Sequence, residues 1–131
     1  KAITALKSLP VVDMTVEIDF FNSGMTIAEK GSRPYFANVL LIAEKESGFL
    51  LCHDVLKPFP SLEAMWKSVP QKVLEHLLKA DLRPKKVLVK EGPLHQILSI
   101  LNKKSGIPIV TVKTLPVIEA ARKFLLKFKQ R

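Results

Sequence analysis

Cysteine is nearly absent from this chain of 131 residues: Cys52 stands alone, which excludes an internal disulfide and any cysteine-cluster metal centre. Aromatics are scarce at 7%, with one Trp and one Tyr. Beyond Trp66 only Phe124 and Phe128 remain, so the second half lacks the aromatic platforms on which single-stranded nucleic acid stacks. The five glycines stand apart, at positions 24, 31, 48, 92 and 106, and no glycine-rich phosphate loop exists. Long apolar runs are missing too. The longest, Val39 to Ala43, falls far short of the ~20 residues that a membrane span requires. The histidines His53, His76 and His95 have no metal-ligand spacing with one another or with Cys52. Cys52 and His53 are neighbours on an expected strand, so they point to opposite faces, and Cys52 reads as a small core residue. No secretory signal pattern opens the chain, and its first residue is Lys1. The expectation is a single cytoplasmic domain over 1–131, cut from a longer protein, with residues 1–12 an arm and 13–131 the core.

Apolar residues, by contrast, make up 47% of the chain, enough for a real core at a common domain size. Positive charge is plentiful and one-sided. Residues 1–66 hold 6 Lys/Arg against 8 Asp/Glu, while residues 67–131 hold 15 against 4. Such an asymmetry points to a polyanion or to an acidic protein partner. Only four of the basic residues are Arg (Arg33, Arg83, Arg122 and Arg131), and Lys is also the ordinary solubilising residue.

Periodicity supplies the elements. Thr15 to Phe20 alternates polar and apolar, predicting a strand near 14–21 with Val16, Ile18 and Phe20 towards a core. Thr15, Glu17 and Asp19 are expected on its wet face, and Asn22-Ser23-Gly24 ends it. Residues before Pro10 read as a weak helix or ordered arm. The apolar segments 35–44 and 49–56 flank Glu46-Ser47-Gly48 and predict an antiparallel hairpin. A short helix capped by Ser61 follows, then one opened by Ser68 and Gln71 as a capping box. Strands at 86–90 and 107–112 bracket a helix over 93–104, opened by Pro93 and stopped by Gly106. Pro116 opens the last helix, with Val117, Ala121, Phe124, Leu125 and Phe128 on its apolar side. The expected core includes Val39, Leu41, Leu51, Val87, Val89, Leu98, Ile109, Phe124 and Leu125. The fold class is therefore α/β: a five-stranded mixed sheet in the order β-β-β-α-β-α-β-α, with 86–90 and 107–112 adjacent and parallel.

That order resembles the ribonuclease H-like fold shared by integrase and transposase cores. Val16-Glu17-Ile18-Asp19-Phe20 is similar to the first-strand segment that ends in a metal-binding Asp. Val89-Lys90-Glu91-Gly92-Pro93 is similar to the turn carrying the second acid, and Glu119 is the one acid of the last helix. The chain also resembles an uncharacterised bacterial domain family with an Arg-Pro before the second strand and a Ser-Gly turn, here Arg33-Pro34 and Ser47-Gly48. The resemblance implies Asp19, Glu91 and Glu119 as catalytic candidates, with Asp19 and Glu91 as ligands of Mg²⁺. Helical phase turns Glu119 towards solvent, where an acid in the first turn favours the helix dipole. At most two acids are then expected to converge. The reading that follows is a non-catalytic or vestigial binding module with no cofactor. It would contact nucleic-acid phosphates through Lys103, Lys104, Arg122, Lys123, Lys127 and Lys129, with Arg131 beside them. A Mg²⁺-dependent nuclease or strand-transfer domain, and a protein-interaction or dimerisation domain, are its rivals.

Overall fold

A computed structural model describes the backbone of residues 2–31 and 33–129, and side chains as far as Phe124. Ten elements follow one another: α1 (Ala2–Ser8), β1 (Val12–Ile27), β2 (Tyr35–Glu44), β3 (Leu50–Leu56), α2 (Leu62–Lys67), α3 (Val69–Lys79), β4 (Pro84–Lys90), α4 (Pro93–Ser105), β5 (Ile109–Val112) and α5 (Pro116–Lys129). The strands form one five-stranded sheet in the order β3-β2-β1-β4-β5. β2 runs antiparallel to both its neighbours, whereas β1, β4 and β5 are mutually parallel. The expected pairing of 86–90 with 107–112 is present, with Val87 opposite Ile109.

Side-chain alternation on the central strands creates two cores. Val16, Ile18 and Phe20 of β1 join Leu40 and Ile42 of β2 on one face, under α3 and α4. Val39, Leu41 and Ala43 point the other way and meet Leu88, Leu115 and Ile118 beneath α5. A strand buried on both faces needs apolar residues at every position, which is why 39–43 reads as an unbroken run. The first core is much the larger, and Leu98 of α4 is wholly buried in it. Cys52 belongs to it as well. Its thiol donates to the Leu40 carbonyl at 3.7 Å, and burial, with Asp54 close by, pushes its pKa up to about 12. Such a thiol carries almost no thiolate and is a packing residue.

Local signals explain several boundaries. Ser61 caps α2 by accepting the Ala64 N–H at 3.1 Å. Pro93 opens α4 and Gly106 ends it in the left-handed conformation, at φ 78°, with its N–H on the Asn102 carbonyl. A side chain at Gly106 would be strained there. The arm before Pro10 is a helix, α1, whose Leu6 is fully buried in the main core. Arg83 holds its end: Nη1 donates to the Lys7 and Leu9 carbonyls at 2.8 and 3.2 Å.

Five expectations need correction. β1 does not stop at Asn22-Ser23-Gly24; the strand continues to Ile27 through an irregularity between Asn22 and Thr26, with Gly24 at φ 78°. Ser68 makes no capping box, because its hydroxyl donates back to the Met65 carbonyl at the end of α2. Glu17 does not sit on a wet face but is completely buried, since α5 covers that side. Phe124 is not core; it is 60% exposed. Leu51 and Ile109 are only partly buried because they lie on the two edge strands. The physical reason for the Phe124 error is rotational. Ile118 is the residue that α5 drives into the sheet, and at 100° per residue Phe124 stands about 120° round from it. Leu125 and Phe128 lie outside the described side chains. No helix among the described residues is long and apolar enough to cross a membrane.

Candidate functional site

Strand parity brings the charged residues together. Glu17 and Asp19 are two apart on β1, so both face α5. Glu17 is level with Leu88 of β4 in the parallel register, which places Asp19 beside Lys90. Lys90 in turn pairs with Val112 of β5. A row of Asp19, Lys90 and Val112 therefore runs across the carboxyl ends of β4 and β5, on the face that α5 covers.

The carboxylate of Asp19 is largely buried but has partners. Oδ1 accepts the Phe20 N–H at 2.9 Å, and Oδ2 is 3.6 Å from Arg122 Nη1. The same guanidinium lies over the Phe21 ring, 4.0 Å from its centroid, which fixes it in a cation–π contact. Burial raises the pKa of Asp19. The Phe20 N–H, Arg122 and Lys90 pull it down and Glu119 adds to the rise, but burial dominates. The net effect disfavours the charged form of Asp19 relative to a free aspartate.

Glu119 is a further correction. It does not point away from the sheet: it is half-buried, its Oε2 accepts the Leu115 N–H at 2.7 Å, and its charge reaches Asp19. Helical phase misplaced it because the stripe was centred on Val117 and Phe124 instead of Ile118. Glu91 lies past the end of β4 in the turn to α4 and is exposed. Among the described residues, no group of three or more His, Cys, Asp or Glu side chains stands close enough to hold a metal ion.

Beside the row lies an open cavity of about 560 Å³, lined by Lys90, Glu91, Thr111, Val112 and Lys113. Neither Lys90 nor Lys113 joins an ion pair among the described residues. In open α/β sheets, ligands settle outside the carboxyl ends of parallel strands, and this cavity has that position. Lys90, Thr111 and Lys113 did not stand out in the sequence, where Lys is common. The available signal was parity: Leu88 is buried, so Lys90 shares its face at the strand end.

The basic residues expected to form one patch are divided. Lys103 and Lys104 end α4 on one face of the sheet, while Arg122 and Lys123 belong to α5 on the other. Arg122 is already engaged by Asp19. Lys127, Lys129 and Arg131 lie outside the described side chains. One pair was not anticipated at all. His76 of α3 and Asp54 of β3 meet at 2.9 Å and tie the helix to the edge strand.

The raised pKa of Asp19 yields a signed expectation. Its folded pKa exceeds the unfolded one, so its contribution is fully present below the unfolded value and is lost as pH rises through the folded value. Asp19→Asn is expected to be more stable than the wild type at pH 7, with the gap closing as pH falls towards 3.8. Urea unfolding of both proteins across that window checks it. A variant less stable at pH 7 would mean that the Arg122 ion pair outweighs burial.

A family model described as a domain of unknown function (DUF6930) matches residues 2–126. No curated protein and no solved structure matches the chain.

Proposed function

The chain belongs to the DUF6930 family, and we propose that this member is a metal-free binding module for phosphate-bearing polyanions, foremost nucleic acid. The strand order β3-β2-β1-β4-β5, with three parallel strands and an antiparallel hairpin, supports a ribonuclease H-like reading of the fold. One observation carries the functional part. Where a two-metal centre would need converging carboxylates, Asp19 has Arg122 as its ion partner and Lys90 beside it. An internal guanidinium supplies the positive charge that Mg²⁺ would otherwise bring. Glu119 is spent on the Leu115 N–H, and Glu91 lies outside the strand, so this donor set does not fit a shared ion with oxygen ligands at about 2.0–2.1 Å.

Lys90 and Lys113 then provide ammonium groups to meet phosphate oxygens, and Thr111 lines the same cavity. A cytoplasmic setting, where nucleic acid is met, goes with this reading. Fluorescence anisotropy of a labelled duplex, titrated over a range of salt, tests it. With roughly four phosphates engaged, log affinity should fall against log salt with a slope of about −3.6. Lys90→Glu with Lys113→Glu should weaken all sequences alike and flatten the slope by about 0.9 per lysine lost. Absence of a complex at low salt overturns the reading. A Mg²⁺- or Mn²⁺-dependent cleavage that vanishes in Asp19→Asn overturns its metal-free part and restores the nuclease alternative.

A further inference from the structure

The two edges of the sheet are protected unequally. β5 is four residues long and is bounded by Pro108 and Lys113, which discourage further strand pairing. β3 spans seven residues, Leu50–Leu56, and contains no Lys, Arg or Pro. Its hydrogen-bonding edge is open among the described residues, where β2 is its one neighbour in the sheet. Cys52 and Leu56 turn into the main core, while His53 and Val55 pair with Leu41 and Val39 and so face the α5 side. There, among the described residues, α5 makes its main contacts with β1 and β2. Val55 is left 40% exposed, and Phe49, just before the strand, 65%.

Charge decides what can approach this edge. Residues 1–66, which include β3, carry a slight negative balance, whereas the other half is strongly basic. Two copies meeting through their basic halves would repel each other. At β3 the ionisable groups are His53 and Asp54, and Asp54 is occupied by His76 at 2.9 Å. We propose that β3 pairs antiparallel with β3 of a second copy of this chain, about a two-fold axis at His53, joining two sheets into one. The contact is isologous, so each copy offers the same strand and receives the same strand. His53 of one copy stands opposite His53 of the other, and Val55 lies across from Leu51. The outward N–H and C=O groups of β3 become paired across the axis. The phosphate site at the carboxyl ends of β4 and β5 stays open, on the far side of each sheet.

Opposed residues in an antiparallel pair have Cα atoms about 4.5–5.5 Å apart, inside the ~4.4–6.8 Å that a disulfide spans. His53→Cys, treated with oxidised glutathione, is therefore expected to give a covalent dimer. Its rate should exceed that of Val110→Cys on the β5 edge by about tenfold or more, because the thiols are held at high effective concentration. Native Cys52, buried and with a pKa of about 12, stays silent in both. Sedimentation equilibrium should show a dimer for the wild type, and Val55→Lys should raise its dissociation constant by about tenfold or more. A wild type that remains monomeric at the highest soluble concentration overturns the proposal. So does a His53→Cys cross-linking rate no faster than that of Val110→Cys, which also decides the matter should Val55→Lys fail to fold.

Discussion

Leu98→Ala is expected to lower the free energy of unfolding by about 2–5 kcal/mol, a large share of the ~5–15 kcal/mol that a domain possesses. Leu98 is wholly buried in the main core, on the face of α4 that meets β4 and β5. Truncation removes the transfer free energy of its side chain and leaves a cavity that rigid neighbours on the sheet cannot close. Ile100 of the same helix is 48% exposed and serves as the control, since its replacement by Ala should change stability by about 0.5 kcal/mol or less. Urea unfolding followed by circular dichroism measures both. Equal losses at the two positions would contradict the packing of α4 described above.

Glu17→Lys is the second large effect. Glu17 is fully buried, yet it accepts the Ile118 N–H through Oε1 at 3.0 Å, across about a hundred residues of chain. It thereby satisfies an otherwise orphaned donor in the first turn of α5. Its other oxygen, Oε2, has no hydrogen-bond partner among the described residues. A lysine at this position removes the acceptor, buries an unpaired ammonium and sets it against the helix terminus. The expected cost is about 3–5 kcal/mol, the range for leaving a buried charge without a partner. Glu17→Gln keeps an oxygen acceptor and nearly the same shape, so it should cost no more than about 1–3 kcal/mol. Hydrogen exchange gives the clearer signature. Amides of α5 should lose protection in Glu17→Lys well before those of α3 and α4, which rest on the other core. Uniform loss across all helices would show that Glu17 is not the particular anchor of α5.

Local order was legible to the extent that it depends on local chemistry. Alternation at 15–20, the unbroken run at 39–43 and the Ser47-Gly48 turn specify a hairpin because each acts within a few residues. Pro93 and Gly106 bound α4 for the same reason: a fixed φ suits a helix start, and a left-handed residue ends one. The parallel β4-α4-β5 unit followed from strand and helix in sequence, and its pairing was as expected. The acids were legible as residues but not as a site. Nothing in Thr15-Val16-Glu17-Ile18-Asp19 says that its polar face will be roofed. That face is buried only because α5, about a hundred positions later, docks there.

Tertiary structure therefore decided the rest. The sequence by itself determined the five strands, the α/β class, the two-faced burial of β2 and the concentration of positive charge after residue 66. Docking of α5 decided the rotation that exposes Phe124, the pairing of Asp19 with Arg122 and the approach of Glu119. Packing of α3 on the sheet decided the meeting of His76 with Asp54. Sheet order decided that β3 has an open edge and that Lys90 lies next to Asp19. Periodicity reports how a segment divides between apolar and polar sides. Which element covers each side depends on contacts between residues far apart in the chain, and no local pattern encodes those.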